Sequence, residues 1–229
     1  MKLEYFASIM TILLIALPNR SFCQNAPIDS AERERERIRW NNALVKDTSY
    51  HFKKEVNSFL RTSIKGRKPG KAVDVGMGQG RNAIYLAKMG WEVTGYDIAD
   101  EALDYAKTEA VKQHVKLTVV QQGSEEFNFG NEQWDLISFI YEGCIEDIPG
   151  LAERMKKGLK QHGIIFFEFF HRDAGIAMGR NDFGCLANAE KEELLRLSGF
   201  KIITYEEKFG ISDYGLKNYK LIYMVAEKY

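Results

Sequence analysis

Between Val73 and Asn82 the chain reads Val-Asp-Val-Gly-Met-Gly-Gln-Gly-Arg-Asn, an apolar run that enters closely spaced glycines. Glycine is required where the backbone turns with positive φ, or where a ligand must lie against bare main chain. A dinucleotide-binding loop would place its third glycine three residues after the second. Here that position is Arg81, and the third glycine comes early, at Gly80. Asp74 stands two residues before Gly76. A carboxylate there repels a pyrophosphate but attracts a ligand that carries an ammonium and a sulfonium.

A second acid follows at a useful distance. Val93-Thr94-Gly95-Tyr96-Asp97 ends an apolar stretch on a carboxylate 17 residues after Gly80. A carboxylate at a strand end can accept both hydrogen bonds of a vicinal ribose diol. Further on lie Gln122-Gly123-Ser124-Glu125 and, at the close of another apolar run, Tyr141-Glu142.

Asp74-Val75-Gly76-Met77-Gly78-Gln79-Gly80 resembles the first motif of class I S-adenosylmethionine (SAM)-dependent methyltransferases, Asp/Glu-x-Gly-x-Gly-x-Gly. The resemblance covers roughly residues 70–170 and is loosely similar to small-molecule methyltransferases of the tellurite-resistance and thiopurine type. It implies SAM as cofactor, held by Asp74, Gly76, Met77, Gly78 and Gly80, with Asp97 on the ribose and Ile98 near the adenine. Ser124, Glu125 and Tyr141 complete the implied set. Trp134-Asp135-Leu136-Ile137 looks like the fourth-strand motif. Leu159-Lys160-Gln161-His162-Gly163 resembles the turn before strand five, with Gln161 and His162 replacing a Pro and a Gly.

Methyl transfer needs a general base only if the acceptor must first lose a proton. Glu142, Glu168 and His171 are the candidates, all at expected strand ends. Glu168 lies within Phe166-Phe167-Glu168-Phe169-Phe170, where an unpaired carboxylate is costly. Either it pairs with a nearby Arg or Lys, or it lines the acceptor site; His171 either faces the pocket or is a plain strand-end histidine. Trp40, Tyr50, Phe52, Tyr141, Phe169 and Phe170 are available for a lid or an apolar acceptor pocket. The four histidines show no metal-ligand spacing, so no metal is expected.

The elements that must position these residues alternate. Strands are expected at 72–75, 92–96, 117–121, 134–140 and 164–169, with helices at about 82–89, 100–111 (capped by Asp100), 150–159 and 189–197. Two final strands, 200–205 and 219–226, pair antiparallel. Such alternation gives an α/β fold: a doubly wound, mainly parallel seven-stranded sheet with helices on both faces and an antiparallel last strand. Upstream, Ala31–Trp40 alternates charge and reads as a solvated helix with Glu32/Arg35 and Glu34/Arg37 at i,i+3 spacing, or else as a binding tail. A second helix is expected from about Tyr50 to Ile64.

The chain of 229 residues has 32 basic and 32 acidic residues and a net charge of zero. That balance gives no support for nucleic acid or an anionic membrane as partner; a small-molecule acceptor is expected. Tyr5–Leu17 is apolar, too short to span a bilayer and suited to the core of a signal peptide cut between Cys23 and Gln24. The expected division is 1–23 signal peptide, 24–69 N-terminal linker and helices, and 70–229 SAM-binding domain. Export to a periplasmic or secreted location follows; a retained membrane anchor, a lipid-modified Cys23 or a cytoplasmic chain are the alternatives. Export would part the protein from cytosolic SAM, which leaves room for a non-catalytic SAM- or nucleoside-binding module, or an aminopropyl-transferase-like user of a SAM derivative. Cys144 and Cys185, far apart in sequence, read as unpaired.

Overall fold

The computed structural model describes residues 29–48, 51–145, 148, 150–181, 183–185 and 199–229. The expected signal peptide and the expected helix at 189–197 lie outside these residues. Seven strands form one sheet: β1 (Lys71–Val75), β2 (Glu92–Asp97), β3 (Thr118–Gln121), β4 (Trp134–Ile140), β5 (Leu159–Phe170), β6 (Phe200–Ile211) and β7 (Asn218–Lys228). Their order is β3-β2-β1-β4-β5-β7-β6. The pairs β1/β2, β1/β4, β2/β3 and β4/β5 are parallel, whereas β7 runs antiparallel to both β5 and β6.

Strand β1 is buried from Ala72 to Val75, as a central parallel strand covered on both faces must be. Helices α3 (Arg81–Lys88), α4 (Asp100–Lys112), α5 (Leu151–Gly158) and α6 (Arg172–Ala177) follow β1, β2, β4 and β5. In α4, Ala102, Leu103, Ala106 and Ala110 turn to the core at helical spacing. The chain winds outward from β1 to β3 and then returns to place β4 on the other side of β1. That reversal opens a crevice beyond the carboxyl ends of β1 and β4, where doubly wound sheets bind ligands.

The structure departs from the sequence reading in several places. The helix expected from Tyr50 is only α2 (Ser58–Ser63), because Asn57 caps it by accepting from the Leu60 N–H. The preceding segment is extended instead, and Phe52 forms a β-bridge with Tyr214. Ala99 rather than Asp100 precedes α4; the Asp100 side chain accepts from Arg37 and Asn41. The last hairpin and β5 are much longer than expected, with β5 starting at Leu159.

The charged helix α1 (Ser30–Asn41) is docked rather than merely solvated. Asn41 is buried, donates to Asp100 Oδ1 (2.7 Å) and accepts from the Glu101 N–H (3.1 Å). Arg37 binds Asp100 at 2.6 Å while keeping its i,i+3 pair with Glu34. Arg33 pairs with Glu126, and Lys46 with Glu101. Cys144 and Cys185, read as unpaired, form a disulfide with Cα atoms 5.6 Å apart. Their separation in sequence concealed their proximity in space: Cys144 follows β4, and Cys185 bridges to His171 at the end of β5.

Candidate cofactor site

The turn after β1 has the conformation its glycines permit. Gly76 (φ 59°) and Gly78 (φ 53°) lie in the left-handed region, where a side chain costs about 1–2 kcal/mol. The Met77 N–H donates to the Tyr96 carbonyl, which ties the loop to β2. The Met77 side chain packs on Gly95, so only its main chain is left for a ligand.

Asp97 ends β2 beside this loop. Its Oδ2 accepts from the Gly78 N–H and its Oδ1 from the Ala99 N–H, both at 2.8 Å. Burial raises its pKa, and these backbone donors offset part of that cost. Ile98 is partly exposed at the start of the next turn. On the other side, Asp74 is 2% exposed and its Oδ2 has no hydrogen-bond partner. Burial pushes its carboxyl up to about 6, opposed by the Ser138 hydroxyl, the charge of Arg81 and the Ala83 N–H.

The turns after β3 and β4 supply the remaining walls. Ser124 is buried; it accepts from the Tyr96 hydroxyl (3.3 Å) and donates to Glu142 Oε1 (2.5 Å). Glu125 folds over Gly123. Glu142 reaches across the crevice to the glycine loop: a Cβ on Gly76 would collide with its Oε2. Burial, then the charge of Asp97, pushes the Glu142 carboxyl up to about 8. Above the loop, the π-helical turn Asn42–Lys46 brings Leu44 over Gly78, and Gln79 Nε2 donates to the Leu44 carbonyl (2.8 Å).

A second polar cluster lies under the start of α3, built largely from residues that sequence reasoning missed. Asn57 Nδ2 donates to Glu168 Oε2 and to Asp213 Oδ2, and its N–H donates to Asn82 Oδ1 (2.9 Å). Arg81 pairs with Asp213 at 2.8 Å. Tyr141, at φ 62°, accepts the Asp213 N–H on its hydroxyl oxygen (3.1 Å) and stacks on Tyr214. Burial, then the Asp213 charge, raises Glu168 to about 7. Its partners are thus an amide and a phenol, with Arg81 acting at longer range. No local signal marked Asn57 or Asp213, because only the fold of the β6–β7 hairpin brings them together.

His171 is occupied elsewhere. Its Nδ1 accepts from the Asp173 N–H (3.0 Å) to cap α6, and Nε2 lies 3.3 Å from Glu207. The sequence candidates therefore divide: the glycine loop gathers Asp74, Asp97, Ser124 and Glu142, whereas Tyr141 and Glu168 belong to the Asn57–Asp213 cluster, and His171 to the cap. Among the described residues, no group of three or more His, Cys, Asp or Glu side chains is placed to hold a metal ion.

The residues present fit SAM: bare main chain at Gly76 and Gly78, an unpartnered buried carboxylate oxygen at Asp74, and a fixed carboxylate at Asp97. Comparison with known proteins agrees. Residues 72–163 match a family described as a methyltransferase domain. The chain is 27% identical over 151 residues to TehB of Haemophilus influenzae, named as a SAM-dependent methyltransferase, covering 62% of this chain and 50% of that protein. It is 30% identical over 109 residues to a ubiquinone biosynthesis O-methyltransferase of Shewanella halifaxensis, 45% of each chain. The chain spans about half the length of the curated relatives it matches. The crystal structure of H. influenzae TehB superposes with a TM-score of 0.62 at 20% identity, over 76% of this chain and 63% of that one, a likeness of fold. Strand order, glycine loop and the family match over residues 72–163 together support a class I SAM-dependent methyltransferase domain in this chain.

Proposed function

We propose that the chain transfers a methyl group from SAM to a small-molecule acceptor. The observation that carries this reading is the run of left-handed glycines at the switch point of the sheet, preceded by buried Asp74 on β1 and braced by the Asp97 carboxylate on the Gly78 N–H. SAM supplies a methyl already activated by its sulfonium, so the protein's task is mainly placement and exclusion of water. Asp97, fixed by two backbone N–H groups, is set to accept from a ribose diol. We assign Ser124 and Glu125, on the turn after β3, to the adenine; the turn carrying Leu44 roofs the loop. Glu168 is poised by burial to exchange a proton near neutrality, which suits a base if the acceptor needs one.

We further propose the division into a leader (1–23), an N-terminal arm (24–69) that docks over the loop, and the catalytic domain (70–229). The Cys144–Cys185 disulfide supports an oxidising compartment, and hence export. No helix among the described residues is long and apolar enough to cross a membrane.

The test is turnover of isotope-labelled SAM against thiol, halide, metalloid and amine acceptors. Label appearing in one acceptor class identifies the substrate. Tight SAM binding with a blank across every class would favour a nucleoside-binding module instead.

A further inference from the structure

The glycine cradle is covered from within the chain. Oε2 of Glu142 lies so close to Gly76 that even a single carbon added there would collide with it. A ligand in contact with that face of Gly76 cannot share the space with this carboxyl group. Oε1 of the same group is held by the Ser124 hydroxyl at 2.5 Å, and Ser124 in turn accepts from Tyr96. Arg154, on α5, donates to the Ser124 carbonyl at 2.7 Å and steadies the turn that carries the anchor. Gly143, next in sequence, has φ 141°, and among the described residues nothing lies within 4 Å of a Cβ position there.

We propose that Glu142 is a displaceable occupant of the cofactor cradle: in the free chain its carboxyl group lies on Gly76, anchored by Ser124, and it swings out when cofactor enters. The proposal rests on the reading that this crevice takes SAM. Its acidic neighbours come from every wall: Asp74 from β1, Asp97 from β2 and Glu125 from the turn after β3. Burial and these charges hold the seated group protonated up to about pH 8. Once displaced toward water it ionises and gives up its proton. Cofactor binding at neutral pH is therefore coupled to proton release, and affinity climbs as the pH rises toward 8, by up to tenfold for each pH unit.

Two variants separate the occupant from a simple ligand contact. Glu142→Ala empties the cradle, so SAM should bind at least about fivefold more tightly than to the wild type at pH 6.5, with the rise in affinity between pH 7 and 8 gone. Glu142→Gln keeps the shape and can still accept from Ser124, but has no proton to lose. Its affinity should stay at the value the wild type shows near pH 4.5, below that of the wild type at pH 6.5, and lack the steep rise toward pH 8. Titration calorimetry in two buffers of different ionisation enthalpy should count close to one proton more released by the wild type than by either variant. Weaker binding by a folded Glu142→Ala protein would overturn the proposal and make Glu142 a cofactor contact.

A readout on the free protein keeps this independent of the cofactor assignment. The carboxyl NMR signal lost in Glu142→Gln should titrate near pH 8 in the wild type. Titration near the ordinary 4.5 would place the group in water and end the proposal. A wild-type chain with the raised titration but no affinity for SAM would instead retain the occupant and refute the cofactor.

Discussion

Asn57 and Glu168, 111 residues apart in sequence, are joined by a hydrogen bond of 2.8 Å from the Asn57 amide to Oε2. The same amide donates to Asp213 at 2.7 Å, and the Asn57 carbonyl oxygen caps α2. One side chain thus ties the N-terminal arm to β5 and to the tip of the last hairpin. Replacing Asn57 with Leu removes a cap and leaves two buried carboxylates short of a donor. The expected loss is about 3 kcal/mol of unfolding free energy in a urea titration.

The fully buried side chain of Asn57 explains what the sequence could and could not reveal. The strand–glycine–helix unit from Lys71 to Lys88 was legible because its signals are local: an apolar run, glycines at positions that need positive φ, and then helical periodicity. Trp134–Ile140 was legible for the same reason. Asn57, Asp213 and the Cys144–Cys185 pair were not, since each gains its meaning from contacts between distant segments. Glu142 was visible as a strand-end acid, but nothing in its neighbours announced that it would lie on Gly76.

Asp97 should prove the most sensitive single position for cofactor. Asp97→Ala removes both the acceptor for a ribose diol and the brace on the Gly78 N–H. SAM affinity is expected to fall at least about 30-fold, on the scale of two charge-assisted hydrogen bonds. Gly78→Val should also weaken binding, because a β-branched residue at φ 53° strains the loop.

The disulfide joins residues 41 apart and so closes a loop of moderate length. By loop-closure entropy it contributes about 4 kcal/mol. Cys144→Ser with Cys185→Ser, or reduction by a dithiol, should lower the unfolding midpoint accordingly. An unchanged midpoint would show that the two sulfurs do not bond in the folded chain.

Glu142 also makes a signed prediction for stability. Burial raises its folded pKa to about 8, above the ordinary 4.5, so its contribution is fully present below pH 4.5 and is lost as the pH rises through 8. The melting temperature of Glu142→Gln relative to wild type should therefore increase steadily between those limits. Glu168 acts in the same direction over a lower window, ending near 7, and stays constant in that comparison.

The central claim is that the loop from Gly76 to Gly80, with Asp74 and Asp97 beside it, receives a cationic sulfonium nucleoside. Isothermal titration of the intact chain with SAM, S-adenosylhomocysteine and NAD tests it most directly. The account predicts saturable binding of the first two at one site, weakened at least about 30-fold in Asp97→Ala, and none of NAD. Preferential binding of NAD, or no heat with any of the three at any pH, would contradict it.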